Sequence, residues 1–196
     1  MRADSSPPEM TLAGSAARTL QAWRPPDHAQ AQLRLDFLEH LREHSDAMWR
    51  ECRHHLTASA LVVSDDRREV LLTLHRKLGR WLQMGGHCER DDPTVAAAAL
   101  REAAEESGIP RLRLSEQPVL LSRHEVPCGS VRPSFHLDVQ YVATAPADAV
   151  PVASAESREL RWFGVDDLPA DVDASVRALV GRAMAGPQQC EQPQPG

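Results

Sequence analysis

Residues 85–109 of this chain read GGHCERDDPTVAAAALREAAEESGI, which has the form of a loop, a helix and a stop. Asp92 can accept hydrogen bonds from the first helical amides, and Pro93 suits the first position of a helix. Residues 95–106 are nearly all good helix formers, and Gly108 stands where a left-handed cap would end the helix. The sequence therefore predicts a helix that begins near Pro93 and stops at Gly108.

Three carboxylates share one face of this predicted helix. Positions three and four apart stack on the same side of a helix, so Glu102, Glu105 and Glu106 fall on one arc, with Arg101 beside Glu105. One arginine cannot neutralise three carboxylates, and such an arc is unfavourable as a purely structural device. Two interpretations stay open: a solvated acidic surface, or a site for Mg²⁺ or Mn²⁺, which favour oxygen ligands.

The whole constellation resembles the Nudix box, G-x5-E-x7-R-E-u-x-E-E-x-G-u, where u is an aliphatic residue. Residues 101–109, REAAEESGI, match its second half if Ala103 takes the first aliphatic position. The first half departs, because Asp92 stands five residues after Gly86 where the family has Glu, and eight residues rather than seven then precede Arg101. The chain thus has one inserted residue in the loop or first turn.

The resemblance implies an α/β fold, a Nudix-type α/β/α sandwich with a mixed central sheet, over residues 55–185. It also implies a pyrophosphohydrolase that cleaves a diphosphate linkage in a small phosphorylated substrate such as ADP-ribose, a nucleotide sugar or a nucleoside triphosphate. Arg101 and Glu105 would serve catalysis, Arg101 by orienting a carboxylate of its own helix. Mg²⁺, with Mn²⁺ as a substitute, would be held by Gly85, through its carbonyl, and by Glu102, Glu105 and Glu106. The alternative is a non-catalytic nucleotide- or ligand-binding regulator on the same fold.

Composition narrows the class of partner. The net charge of −6 and a pI near 5.8 argue against non-specific binding to nucleic acid or to an anionic membrane. No apolar run is long enough to cross a membrane, and the four cysteines show no C-x-x-C pairing, so we expect a cytoplasmic protein with reduced thiols. Several histidines have no i, i+4 spacing on a common helix and are expected to serve packing or loops: His54, His55, His75, His87 and His136.

The N-terminal part divides in two. Residues 1–27 are rich in Ala, Ser and Pro and are expected to be disordered. Residues 28–54 carry apolar side chains at mostly helical spacing, which predicts a helical extension of one or two helices. That extension could support a homodimer, cap a substrate site or complete the core. At the other end, residues 186–196 are expected to form a flexible tail.

Strands flank the box on both sides. Residues 55–63 and 69–75 are apolar runs that predict a hairpin, and the following loop offers Arg76, Lys77 and Arg80 as candidates to bind substrate phosphates. Residues 117–126 and 134–144 predict a second hairpin, followed by a short strand over residues 156–163 and a helix over residues 174–185.

An acidic residue before Trp162 is the last candidate of the site. Several Nudix enzymes carry an additional base or metal ligand at a similar position, and Glu156 and Glu159 both qualify here. The alternative is that both are surface charges beside an edge strand, and a carboxylate of the box is then the base.

Overall fold

The computed structural model describes residues 11–126, 133–155 and 157–185. The helices are α1 (Leu12–Ala22), α2 (His28–Glu43), α3 (Val95–Ser107) and α4 (Ala174–Met184). The strands are β1 (His54–Val63), β2 (Glu69–His75), β3 (Trp81–Leu82), β4 (Met84–His87), β5 (Arg113–Leu114), β6 (Leu120–Val126), β7 (Ser134–Thr144) and β8 (Ser157–Gly164). Within these ranges no helix combines the length and the apolar character that crossing a membrane requires.

The sheet is mixed, with one parallel pair at its centre. Strands β1 and β7 run parallel in register from His54 opposite Phe135 to Val63 opposite Thr144. The other edge of β1 is shared between β4, along residues 57–60, and β2, at residues 62–63. The outer edge of β7 is shared in the same way between β6 and β5, and β8 pairs with β2. Sharing each edge between two strands curls the sheet around the central pair.

Helices cover both faces of the sheet, which confirms the predicted α/β/α arrangement. Alternate residues of a strand point to opposite faces. On β1, Leu56 and Ala60 belong to a core cluster built with α1, α2 and α3, whereas Leu61 and Val63 pack in a second cluster with α4. The box helix α3 and the closing helix α4 therefore lie on opposite sides of β1.

The prediction of disorder over residues 1–27 is wrong for α1. Thr11 caps this helix, since its Oγ1 accepts from the amide of Gly14 at 3.1 Å. Leu12, Ala16 and Leu20 recur every four residues and are buried in the main core. The Ala- and Ser-rich composition suggested disorder, but alanine is also the best helix former, and the core supplies the packing that makes a short helix stable.

The predicted helical extension is present as α2, with Phe37 fully buried in the same core. Asp27 caps it, accepting from the amide of Gln30 at 2.8 Å. The side-chain amide of Gln30 bonds both backbone groups of Leu121 on β6, at 3.0 Å and 2.7 Å. The two N-terminal helices therefore complete the core and are fixed to the sheet.

The box helix begins two residues later than predicted. Thr94 is its N-cap and accepts from the amide of Ala97 at 3.0 Å, so α3 starts at Val95 rather than Pro93. Gly108 ends it in the left-handed conformation, with φ of +67°, as predicted. The glycine pair before it was expected in a loop but lies in β4, paired with β1.

The remaining elements follow the sequence closely. Strand β7 has the predicted bounds, and β6 and β8 begin within three residues of theirs. The predicted pairing of β1 with β2 is limited to Val62 opposite Leu71 and Val63 opposite Val70, because β4 takes up the rest of that edge. The loop at residues 127–132, Glu156 and the tail at residues 186–196 lie outside the described residues.

Candidate active site

Close contact between β4 and its neighbours begins the site. A Cβ on Gly85 would lie 2.3 Å from the Cβ of Ser59 on β1, and a Cβ on Gly86 would lie 2.8 Å from the carboxyl group of Glu102 on α3. Contacts below 3.0 Å essentially never occur, so at Gly85 only glycine allows this approach to β1, and at Gly86 any side chain would have to displace the carboxyl group of Glu102. The glycine pair therefore lets the backbone of β4 meet the carboxylate arc of α3.

The three predicted carboxylates differ in exposure. Glu106 is 9% exposed and its Oε2 lies 3.4 Å from the amide nitrogen of Gly85. The side chain of Glu102 is 15% exposed, against Gly86, whereas that of Glu105 is 61% exposed. The arc thus runs from a buried end beside Gly85 to an open end in solvent, where a substrate could approach.

Arg101 holds two of these carboxylates. Its NH1 group donates to Glu102 Oε1 at 3.0 Å and to Glu105 Oε2 at 3.2 Å, while its NH2 group donates to the carbonyl of His87 at 3.0 Å. These bonds tie α3 to the end of β4. Because a guanidinium presents several donors in a rigid plane, the side chain fixes the relative positions of the two carboxylates.

Asp92, which stands where the family pattern has Glu, anchors Arg101. Its two oxygens accept from Arg101 Nε at 3.1 Å and NH2 at 3.0 Å, and Oδ2 also accepts from the amide of Glu89 at 2.7 Å. The bonds to Asp92, with Glu102 nearby, hold the pKa of Arg101 above its usual value. The altered first half of the box therefore still supplies a buried carboxylate that orients the arginine.

The charge balance of this region favours a cation. Arg101 lies within 4 Å of Glu89, Asp92, Glu102 and Glu105, so one positive charge faces four carboxylates, with Glu106 beside them. An excess of negative charge in a partly buried cleft attracts divalent cations. All the available donors are oxygens, the ligand type that Mg²⁺ and Mn²⁺ prefer. The charge and the donor type of these residues therefore suit such an ion.

The predicted phosphate-binding residues lie apart from the carboxylate arc. Arg76, Lys77 and Arg80 are exposed in the turn between β2 and β3. Arg76 NH2 donates to the carbonyl of Ser157 on β8 at 3.3 Å, and Arg80 NH1 donates to Asp173 at the start of α4 at 3.4 Å. Their contacts lead to β8 and α4, so their role toward substrate stays a prediction.

The two candidates before Trp162 differ in what can be described. Glu156 lies outside the described residues. Glu159 is on β8, opposite Leu74 of β2, and its Oε1 accepts from both Nε and NH2 of Arg161. The assignment of either residue as the general base therefore stays a prediction.

A buried cluster of polar side chains around Asp138, on the α4 side of the sheet, was not predicted from the sequence. Asp138 on β7 is buried, and its carboxylate accepts from Thr57 Oγ1 at 3.0 Å, Ser59 Oγ at 2.7 Å and Gln140 Nε2 at 3.1 Å. The pattern is present in the sequence, because polar residues occupy every second position near the start of both strands: His55, Thr57 and Ser59 on β1, and His136, Asp138 and Gln140 on β7. That period places all these side chains on one face of the sheet.

Sequence and structure comparisons agree on one family. A family model described as NUDIX domain matches residues 53–181. In its fold the chain is similar to an Ap4A hydrolase of C. elegans in a binary complex, with TM-score 0.57 and 18% identity over 66% of this chain and 95% of the other.

Two further solved structures are similar in fold. One is a NUDIX family hydrolase from Clostridium perfringens, with TM-score 0.52 and 25% identity over 67% of this chain and 96% of the other. The other is the NUDIX domain of Shewanella oneidensis NrtR complexed with ADP ribose, with TM-score 0.51 and 20% identity over 66% of this chain and 86% of the other. A search of curated proteins finds no match.

Nudix proteins are in general hydrolases that cleave diphosphate linkages of nucleotide-type compounds, typically with a divalent metal. The family model covers more than half of the chain, including β1, the glycine strand β4 and the carboxylate helix α3. The chain therefore belongs to the Nudix family.

Proposed function

We propose that this protein hydrolyses a diphosphate linkage in a small nucleoside diphosphate-type substrate with the help of Mg²⁺ or Mn²⁺. The observation that carries the proposal is the contact between Gly85–Gly86 and the arc of Glu102, Glu105 and Glu106, held by Arg101. This cluster concentrates negative charge where a cation and a phosphate chain could meet. All members of the metal-binding half of the box are present, which favours turnover over ligand binding alone.

We infer the substrate class from the proposed metal and from solved structures that are similar in fold. The solved structures include an Ap4A hydrolase, a dihydroneopterin triphosphate pyrophosphohydrolase of E. coli and an NrtR domain complexed with ADP ribose. What these compounds share is a phosphoanhydride linkage in a nucleotide or related small molecule. We therefore assign this chain a substrate with at least one such linkage, without choosing among the organic groups attached to it.

The residues of the site have separate tasks. Glu102 and Glu106, the less exposed carboxylates, would hold the ion together with Gly85, and Arg101 keeps Glu102 and Glu105 in place. When bound, the ion neutralises phosphate oxygens and lowers the pKa of the attacking water. Glu105 would meet substrate and water from solvent, because its side chain is the exposed one of the arc.

The general base has two candidates. Glu105 is exposed and belongs to the arc, and its hydrogen bond to Arg101 lies at its Oε2 atom. Glu156 is suggested by its position before Trp162. Replacing the base by Gln should lower kcat by about 10²- to 10⁴-fold while metal affinity changes little, because proton transfer and metal binding are separate tasks. Glu105→Gln and Glu156→Gln, with Glu159→Gln in parallel, therefore separate these assignments.

The proposal is tested with a panel of compounds. ADP-ribose, nucleotide sugars, nucleoside triphosphates and dinucleoside polyphosphates are incubated with the purified protein in Mg²⁺, Mn²⁺ or chelator, and product release is measured. At least one compound should be hydrolysed with metal and none in chelator. Reaction in ¹⁸O-labelled water should place the label on a phosphate product, because water attacks phosphorus.

Two variants sharpen the test. Glu106→Gln should lower kcat by roughly 10²-fold or more, the scale of lost electrostatic stabilisation at an active site. Glu89→Gln is the matched control. Glu89 also lies in the charged cluster, 3.8 Å from Arg101, but its side chain is 65% exposed and outside the helical arc. Equal losses in the two variants, or full activity in chelator, would contradict the proposal. Tight binding of a panel compound without any turnover would instead identify a ligand-binding regulator.

A further inference from the structure

Four histidines form a row across four adjacent strands, on the α4 side of the sheet. His124 on β6 is opposite His136 on β7, and His136 is opposite His55 on β1. His87 on β4 is opposite Thr57, two residues along β1 from His55, and therefore shares the same face. These histidines are far apart in the sequence and meet only through strand register.

Three of the four approach closely enough to share one ligand. One ring nitrogen from each of His55, His87 and His136 lies within 4.8 Å of the others. The ring centroids are separated by 5.1 Å for His55 and His87, 4.9 Å for His55 and His136, and 5.1 Å for His87 and His136. His124 is exposed beside them, with its ring centroid 5.5 Å from that of His136.

The hydrogen bond between His55 and Cys52 determines which nitrogen of the His55 ring can act as a ligand. Its Nδ1 lies 2.8 Å from the carbonyl of Cys52, and a carbonyl can only accept, so Nδ1 carries the proton. Nε2 is then unprotonated. A bond from the second ring nitrogen to a backbone carbonyl is the arrangement that orients histidines bound to metals.

Two buried nitrogens of the group lack partners among the described residues. Nε2 of His55 and Nε2 of His136 are both buried and without a hydrogen bond there. Leaving a buried polar atom unsatisfied costs about 1–3 kcal/mol, and such atoms are rare in native proteins without a water or ion to satisfy them. Two of them in one histidine group point to a shared cation.

The rings are electrically suited to a metal. Burial, with smaller effects from His55, His87 and His124, lowers the pKa of His136 to about 3, and burial also lowers the pKa of His55. A lowered pKa favours the neutral form of both imidazoles. A neutral imidazole can bind a metal without first losing a proton.

We propose that His55, His87 and His136 form a three-nitrogen site for Zn²⁺ or a similar divalent transition metal, separate from the carboxylate arc. Imidazole ligands suit Zn²⁺, Ni²⁺ and Cu²⁺, whereas Mg²⁺ prefers oxygen. With Zn–N distances of about 2.0–2.1 Å, tetrahedral ligands lie roughly 3.3 Å apart, so the rings close by up to about 1.5 Å on binding. The fourth position is left to water or to His124.

The histidine site and the carboxylate arc lie on opposite faces of strand β4. Neighbouring residues of a strand point to opposite faces, so Gly86 faces Glu102 while His87 faces His55 and His136. The carbonyl of His87 also accepts from Arg101. A metal bound to the three histidines would fix β4 to β1 and β7 and so support the placement of the glycine pair against α3.

The experiment uses tag-free full-length protein, stripped with chelator and then loaded with Zn²⁺ or Co²⁺. We expect about one Zn²⁺ per chain by elemental analysis, with an increase in Tm because only the folded protein holds the ion. The cobalt form should show a d–d spectrum of a nitrogen and oxygen site without a thiolate charge-transfer band. Mg²⁺ in excess should not displace the Zn²⁺.

Variants locate the ion. His136→Asn and His87→Asn should each weaken Zn²⁺ binding by about 100-fold or more, as expected for a lost ligand. His28→Asn is the control, because this exposed histidine at the start of α2 lies outside the row. Circular dichroism of the stripped proteins shows whether each variant is folded, so a loss of binding can be separated from a loss of structure.

Two further variants exclude other positions. Cys52→Ser tests the group of His44, Asp46 and Cys52, whose ligand atoms also lie within 4.8 Å of one another. Glu106→Gln tests the carboxylate arc. Loss of Zn²⁺ from either of these proteins with retention in folded His136→Asn would overturn the proposal, as would wild-type affinity in both histidine variants. Because the readout is metal content, failure here is distinguishable from failure of the proposed hydrolysis.

Discussion

Among the described residues, Asp92 and Arg101 should form the most strongly coupled ion pair. Two hydrogen bonds join them, at 3.1 Å and 3.0 Å, and the side chains are only 6% and 21% exposed. Arg101→Met removes the cation and leaves the Asp92 carboxylate buried, with the amide of Glu89 as a remaining donor at 2.7 Å. Asp92→Asn leaves Arg101 with Glu102 and Glu105.

The expected magnitudes follow from burial. Removing one partner of a buried pair costs about 3–5 kcal/mol, and the remaining amide bond to Asp92 places Arg101→Met near 3 kcal/mol. Asp92→Asn should cost less, roughly 1.5–2 kcal/mol, because Arg101 keeps other carboxylates. In the double variant no unpaired carboxylate is left at position 92. Its cost should therefore fall below the sum of the single variants by about 2 kcal/mol.

Urea unfolding of the four proteins, followed by tryptophan fluorescence, measures this coupling. The control is the same cycle on Arg111 and Asp148, which are 2.9 Å apart but 70% and 73% exposed, so their coupling should be close to zero. The slope of the free energy of unfolding against urea must stay constant for the comparison to hold. A coupling for the buried pair no larger than that of the exposed pair would refute the reasoning.

Three other predictions follow from the structure. Gly86→Ala must push the carboxyl group of Glu102 from 2.8 Å to an ordinary contact distance of 3.4 Å from the new Cβ, and should lower kcat by about 10²-fold. Gly181→Ala is the control and should leave kcat unchanged, because no atom lies within 4 Å of the added Cβ. Burial raises the pKa of the Cys88 thiol from 9.0 to about 12. Alkylation of Cys88 at pH 8.5 should therefore be about 10³-fold slower in native than in urea-unfolded protein. The contribution of the buried thiol to the free energy of unfolding should be lost as pH rises from 9.0 towards 12. Hydrogen bonds from Ser175 lower the pKa of Asp173 at the N-cap of α4. Asp173→Ala should therefore lower the free energy of unfolding by about 1 kcal/mol at pH 7 and by less below pH 3.8, which urea unfolding at the two pH values measures.

Local chemistry explains what could be predicted of the fold. The end of α3 at Gly108 depends on a left-handed residue that the sequence itself supplies, and β7 depends on an alternating pattern inside one segment. The Asp92 capping prediction failed because its carboxylate is taken by Arg101 and the amide of Glu89, leaving the cap to Thr94. The helix α1 was missed because its stability comes from the core that it packs against.

The sequence by itself determined the family and the arc of Glu102, Glu105 and Glu106, since spacing along one helix places those side chains on one side. Only the tertiary structure decided that Asp92 anchors Arg101 and that His55, His87 and His136 meet. Those three histidines come from three strands, and their meeting depends on the parallel register of β1 with β7 and on the pairing of β4 with β1. Register is set by the packing of the whole sheet, and no local pattern around any one histidine encodes it.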